Sequence, residues 1–289
     1  GHSFGELTAL WAAGVLNDDD YMMLARSRGQ AMAAPDNQES DFDAGTMAAV
    51  MGDTKAIAKA VNAIDGVEIA NFNTLEQVVI AGSTDKVNAA AKQLKTDGFK
   101  VIALPVSAAF HTPLVAHAQK PFAKAVAKAT FNKPKATVFS NATAKAHSNK
   151  PEDIQKALQA HILQSVHFSD ELQAIYQEGG RVFVEFGPKN TLTKMVENVL
   201  ADKSDVFAIA LNANAKQSSD SQLRKAVVQL AVLGLPLDKF DAHQAPKTLT
   251  FKKKSPMSMK LSAASYVSEK TQNAFNEALN DGYQIEQAQ

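Results

Sequence analysis

The sequence has 289 residues and balances 30 Lys and Arg against 30 Asp and Glu, so no overall electrostatic case exists for nucleic acid or an anionic membrane. It has no cysteine, which removes disulfides, thiol catalysis and Cys-ligated zinc and fits a cytoplasmic protein. No apolar run approaches the roughly 20 residues that span a bilayer, and the length admits one large domain with a smaller companion.

The chain opens on Gly1-His2-Ser3-Phe4-Gly5-Glu6, a G-x-S-x-G pattern. Such a nucleophile elbow places a serine on a sharp strand-to-helix turn, with glycines where neighbouring chain approaches closely. A strand is expected ahead of the turn, and the sequence is accordingly read as a piece of something longer. A helix is predicted over 6–13 with Leu7, Leu10 and Trp11 at helical spacing, stopped by Gly14. Asn17 then caps a second helix whose first turn, Asp18-Asp19-Asp20, suits the positive end of the dipole.

Residues 46–106 form a unit of their own: strand 47–51, helix 55–63, strands 67–71 and 77–81, helix 84–94 and strand 100–106. That βαββαβ order is ferredoxin-like, inserted between residues 1–45 and 107–245 of a larger α/β-hydrolase-like domain. Alternation resumes with Thr112-Pro113 starting a helix to about Lys128, a strand over 137–140, and helices over 151–163 and 168–178. Strand 182–186, a Gly187-Pro188 turn, helix 191–200, strand 206–211 and a helix carrying Leu223, Val227, Leu230 and Leu233 follow. Residues 246–289, including Lys252-Lys253-Lys254, lack a core-sized apolar stripe and are assigned to a polar linker or tail with one helix near 266–280.

Ser3 is the candidate nucleophile, against the alternative of a chance match in a glycine-containing turn. A serine needs a base within hydrogen-bond reach. Of seven histidines, His111 is best placed, after a strand and before a capped helix, where catalytic groups of α/β sheets gather. The bland reading is a histidine with no chemistry. His2 adjoins the nucleophile and is expected to shape the pocket. Arg28 falls on one helical face with Tyr21, Leu24, Ala25 and Met32, where a cation is costly unless it meets an anion. A substrate carboxylate suits its planar fork, and a buried ion pair within the chain suits it equally.

The motif at Ser3, Arg28-Gly29 and Ser107-Ala108-Ala109-Phe110-His111 occur together in this order. Asn71-Phe72-Asn73, the run Gln77 to Gly82, and Val184-Glu185-Phe186-Gly187-Pro188 accompany them. This sequence resembles the malonyl-CoA:acyl-carrier-protein acyltransferase family from residue 1 to about 240. It is similar, more narrowly, to the acyltransferase domains of polyketide and polyunsaturated-fatty-acid synthases.

The resemblance implies that Ser3 attacks the malonyl-CoA thioester with His111 as base, leaving a serine ester. The phosphopantetheine thiol of an acyl carrier protein then discharges that ester, with no metal or redox cofactor. It also implies that Arg28 holds the malonyl carboxylate, that the Phe4 N–H serves the oxyanion, and that His2 and Phe110 line a malonyl-type pocket. A backbone carbonyl at His161, where relatives carry Asn or Gln, would orient the base. The family's second oxyanion donor, on a Gly-Gln-rich loop upstream, is not in this sequence. Neighbouring synthase domains are the implied partners. A serine esterase or thioesterase of the α/β-hydrolase type is the rival, although it expects the order Ser, acid, His; a non-catalytic docking domain is the second.

Overall fold

Apolar runs without polar interruption need cover on both sides, and residues 47–51 and 78–81 of the small unit are of this kind. The computed structural model describes residues 1–33, 43–106, 108–237 and 267–280. It places strand β1 at Thr46–Met51, helix α3 at Thr54–Asn62, β2 at Val67–Thr74, β3 at Gln77–Gly82, α4 at Thr84–Thr96 and β4 at Lys100–Ala103. The sheet runs in the order β4-β1-β3-β2, antiparallel throughout, as a ferredoxin-like unit requires. One face buries Ala48, Val50, Val78 and Ile80 beneath Ile57 and Val61 of α3 and Val87 and Leu94 of α4. The other buries Met47, Ala49, Val79 and Ala81 against Ala109, with Phe110 packed alongside. That second face anchors the segment carrying His111. β4 stops at Ala103, short of the predicted 106, because Pro105 has no N–H to donate to a ladder.

The larger part begins with α1 at Phe4–Ala12 and α2 at Asp18–Met32. Asn17 caps α2, accepting from Asp20 N–H at 2.7 Å. A 3-10 turn at Pro113–Val115 leads into α5 at Ala116–Lys128, followed by α6 at Pro151–Ala160. Leu7, Leu10, Leu24, Phe122, Val126, Ile154 and Leu158 close the core that joins these helices. Trp11 stays on the outside, stacked on Tyr21. The short strand β5, Val166–His167, pairs in parallel with β2 and adds a fifth strand to the sheet.

Helix α7 covers Phe168–Gln177, α8 Thr191–Val199 and α9 Ser219–Val232; β6 at Val182–Pro188 and β7 at Phe207–Asn212 pair in parallel. The Glu185 carboxylate of β6 accepts from Leu192 N–H (3.0 Å), Thr193 N–H (2.8 Å) and Thr193 Oγ1 (2.7 Å), capping α8 from a neighbouring strand. Residues Gly1–Pro236 form one compact unit and Leu237–Gln289 a second, whose described helix α10 spans Glu269–Asn280. The Lys252 to Lys254 run lies outside the described residues.

Two expectations are corrected. Residues 137–140 are not a strand but one arm of a tight turn: Ser140 N–H bonds to Lys145 O (2.9 Å) and His147 N–H to Val138 O (2.8 Å), with a single bridge from Phe139 to Ala146. These amides are satisfied locally and leave nothing to pair with a sheet. On α9 the buried line is Gln222, Ala226 and Leu230, whereas Leu223 is 46% exposed. Gln222 draws the helix round because its amide accepts from Asn214 N–H (2.8 Å) and donates to Asn212 Oδ1 (3.0 Å).

Phe122 is fully buried at the centre of the helical core. Phe122→Ala is expected to cost about 3–5 kcal/mol through lost transfer energy and a residual cavity, read as a lowered urea midpoint at unchanged slope.

Candidate active site

Ser3 sits at φ 50°, ψ −111°, immediately before α1. For a non-glycine residue this backbone is strained, by about 1–3 kcal/mol, and it projects the side chain away from the helix. A Cβ on Gly1 would overlap the Gly5 carbonyl, so the turn closes only with glycine there; at Gly5 a Cβ would meet open space. Close approach therefore explains the first glycine of the motif and not the second. Gly5 N–H bonds to His2 O at 2.9 Å and Glu6 N–H to Ser3 O at 3.0 Å. Phe4 N–H is the first amide of the helix, a position with no acceptor inside the helix.

His111 also lies at positive φ, 62°. Thr112 braces that turn, donating from Oγ1 to Ala109 O at 2.7 Å and accepting from Leu114 N–H at 3.3 Å. Ser3 Oγ and His111 Nε2 are 2.7 Å apart, and His111 Nδ1 is 2.8 Å from Gln164 O. A carbonyl can only accept, so the proton sits on Nδ1 and Nε2 presents its lone pair to the serine hydroxyl. The orienting carbonyl thus belongs to Gln164, not to His161. His161 instead packs edge-on against His111, with centroids 5.8 Å apart, and its Nε2 lies 3.2 Å from Glu6 Oε2. The 3-10 turn at His161–Leu163 swings the carbonyl three residues further on towards the base.

Arg28 is only 4% exposed, on the core side of α2. Its Nη2 donates to Ser3 Oγ at 3.3 Å, its guanidinium lies 5.5 Å from the Phe4 ring centre, and its buried Nη1 has no hydrogen-bond partner among the described residues. Burial lowers its pKa to about 10, opposed by the Glu6 charge, so it remains a cation at neutral pH. His2 donates from Nε2 to Asn73 Oδ1 at 2.8 Å, and Asn73 donates to Gln77 Oε1 at 2.9 Å. His2 lies edge-on to Phe168 and is held towards its neutral form by burial. Phe110 is partly buried between the helical core and the underside of the sheet.

Beneath the elbow lies a polar cluster that sequence reasoning missed. Glu6, 1% exposed, accepts from His147 Nε2 (2.7 Å) and Asn141 N–H (2.8 Å). Burial alone would raise its pKa, but hydrogen bonds from His147 and the Asn141 amide, with the His161 ring close by, outweigh it and keep the carboxyl ionised. Asn141 is wholly buried and accepts from Ser3 N–H at 2.6 Å. The available signals were Glu6 inside the elbow motif and a polar Ser140-Asn141 pair ending an apolar run. No group of three or more His, Asp or Glu among the described residues is arranged to hold a metal ion, and no described helix is long and apolar enough to cross a membrane.

His111 is pushed down to about 3, first by burial, then by His161 and the Arg28 cation. The folded imidazole is therefore neutral at pH 7. Between 6.5 and about 3 the unfolded chain binds a proton that the folded chain refuses, so the stability due to neutral His111 falls as pH drops through that window. His111→Gln is expected to flatten part of the acid-side decline in urea midpoint, and an unchanged slope would show that the imidazole is not held neutral.

Comparison with known proteins agrees with this geometry. The family model described as the acyl transferase domain matches residues 1–235. The chain is 37% identical over 288 residues to a polyunsaturated fatty acid synthase polypeptide of Thraustochytrium sp., covering 98% of this chain and 10% of that protein. It is 34% identical over 230 residues to malonyl CoA-acyl carrier protein transacylase of Escherichia coli, covering 77% of this chain and 71% of that one. The acyltransferase domain from the second module of the salinomycin polyketide synthase superposes with a TM-score of 0.71 at 28% identity, covering 80% of this chain and 52% of that one. An acyl carrier protein S-malonyltransferase from Vibrio cholerae gives 0.66 at 32% identity, covering 74% and 69%. The chain thus spans about a tenth of the Thraustochytrium synthase polypeptide, which it matches along almost its whole length. With the family model spanning residues 1–235, including the paired Ser3 and His111, the chain belongs to the acyl transferase domain family.

Proposed function

We propose that this chain transfers a malonyl group from CoA to the phosphopantetheine thiol of an acyl carrier protein, within a multidomain fatty-acid or polyketide synthase. One observation carries the choice of acyl group: a buried arginine reaches Ser3 Oγ with Nη2, and its Nη1 has no partner among the described residues. A cation so placed calls for an anion attached to the group that Ser3 attacks, and the malonyl carboxylate is such an anion.

In the first half-reaction the Ser3 hydroxyl proton passes to His111 Nε2 as Oγ bonds to the thioester carbonyl carbon. The tetrahedral oxyanion takes the Phe4 N–H. Collapse breaks the carbon–sulfur bond, and His111 returns the proton to the departing CoA thiolate. In the second half the carrier's thiol gives its proton to His111 and its sulfur attacks the serine ester. Ser3 leaves with the proton, so neither half consumes a base. A malonyl carboxylate on Arg28 also offsets a cation that helps to depress His111, raising the basicity of the group that must act next.

On this reading residues 1–45 and 107–245 form the catalytic subdomain and 46–106 the inserted one, while 246–289 lead towards a neighbouring domain such as the carrier. The reaction is assigned to the cytoplasm, which suits a chain with no cysteine. A hydrolase of the same elbow has no use for Arg28, and a docking domain has no use for an assembled serine–histidine pair.

Intact-protein mass spectrometry after brief exposure to malonyl-CoA or acetyl-CoA tests the proposal. One malonyl adduct is expected, absent in Ser3→Ala. Arg28→Ala should slow malonyl acylation about 10- to 150-fold, the equivalent of about 1.5–3 kcal/mol for a hydrogen bond to a charged group, and shift the preference towards acetyl. Continuous release of CoA without a carrier would establish the hydrolase. No adduct from either donor, with no CoA released, would leave the docking domain.

A further inference from the structure

Asn141 is 0% exposed and every polar atom it has is used. Oδ1 accepts from Ser3 N–H at 2.6 Å. The two Nδ2 hydrogens go to Gly1 O (2.6 Å) and Glu171 Oε2 (2.6 Å). Its backbone N–H donates to Glu6 Oε2 at 2.8 Å, and its carbonyl accepts from His167 N–H at 2.8 Å. A side-chain amide supplies the one acceptor and two donors used at this spot: a carboxylate cannot donate, a hydroxyl has a single hydrogen to give, and an aliphatic side chain does neither.

What matters is which backbone groups the amide joins. Gly1 O and Ser3 N–H bracket His2, whose own carbonyl is already committed to Gly5 N–H. A single side chain therefore fixes the peptide units on either side of the residue before the nucleophile, where Ser3 is turned to φ 50°. Free rotation of the His2–Ser3 peptide would carry Oγ away from Nε2. The far side of the clamp has its own anchor. His167 N–H holds Asn141, while Gln164 O, three residues earlier, holds His111 Nδ1. Nucleophile and base are thus referenced to the same short stretch of chain, residues 164–167.

We propose that Asn141 is a positioning residue for acyl transfer, clamping the strained elbow so that Ser3 Oγ stays in register with His111 Nε2. The inference rests on the serine acyl-transfer reading above, but its test does not need a malonyl substrate.

The probe is a fluorophosphonate, whose rate of labelling Ser3 reports nucleophile–base alignment alone; adduct formation from malonyl-CoA is followed separately on the unaltered chain. Asn141→Ala is expected to slow labelling per folded molecule on the order of 10²-fold, the scale of an ångström-level misplacement. Labelling within about threefold of the unaltered chain would overturn the proposal. Asn141→Asp gives the signature that a merely structural residue lacks. Ionised, the aspartate still accepts from Ser3 N–H but cannot donate to Gly1 O or to Glu171 Oε2, whose carboxyl now faces it, with Glu6 close by; protonated, it can donate again.

Burial beside two other carboxyls raises the pH at which that proton binds. Labelling by Asn141→Asp should therefore be at least tenfold slow at pH 8 and recover severalfold at pH 6, while the unaltered chain gains nothing. A rate per folded molecule that is flat across that range overturns the proposal. Should neither variant fold, amide hydrogen exchange of the unaltered chain decides: slow exchange at Ser3 supports the clamp, and exchange as fast as an exposed amide overturns it. A chain that labels at Ser3 but takes no malonyl would sink the substrate assignment and leave the clamp standing.

Discussion

The hydrogen bond between Ser3 and His111 joins residues 108 positions apart, and both ends of it sit on backbone at positive φ. Neither turn is favourable by itself, at about 1–3 kcal/mol each, so each persists only where its surroundings leave no alternative. For His111 these surroundings are Thr112, which closes the turn, and Ala109, packed on the underside of the small sheet. For Ser3 they are a glycine that cannot be replaced without overlap and the amide of Asn141. Helical packing then carries these local constraints to the rest of the molecule. Leu7 and Leu10 seat α1 in the same core as Leu24 of α2, which fixes where Arg28 arrives.

Charge in the site is arranged around that frame. Glu6 is buried yet ionised because His147 and a backbone amide hydrogen-bond to it in place of water, with the His161 ring close by. A buried anion of this kind is tolerable only when so partnered, and its charge in turn eases the burial of Arg28. Arg28 and His111 both lose affinity for protons through burial, with different consequences. The arginine starts so far above neutrality that it stays charged, whereas the imidazole becomes a neutral acceptor. The result is one cation with a donor left unfilled among the described residues, beside a serine hydroxyl hydrogen-bonded to a neutral imidazole.

The elbow motif and the continuous apolar runs of the small unit made most of this legible from sequence. Met47 to Met51 and Val78 to Ala81 are apolar on both faces, and both faces are in fact covered. Arg28 was visible because one cation interrupted an apolar helical stripe. The first two failures have a common cause in local polar hydrogen bonds, which hydrophobic periodicity does not register. Gln222 rotated α9 away from the predicted stripe, and the amides around Ser140 closed a turn where a strand was expected. Gln164 could not be singled out, since a backbone carbonyl has no signature in the side-chain sequence and the 3-10 turn after α6 shifted it by three residues.

The small unit has a positional role that its own fold does not require. Two helices cover one face of its sheet, and a freestanding ferredoxin-like sheet can leave the other to water. Here that other face is apolar, built from Met47, Ala49, Val79 and Ala81, and it is occupied by the chain just ahead of His111. β2 meanwhile pairs with β5, whose preceding residues present Gln164 to the same histidine. The base is therefore gripped from below by the sheet's inner face and from the side by its edge. Asn73, on β2, reaches His2 beside the nucleophile. A unit that contacts His2, the chain just ahead of His111 and the strand just after Gln164 together cannot shift relative to the helical core without changing the geometry between Ser3 and His111.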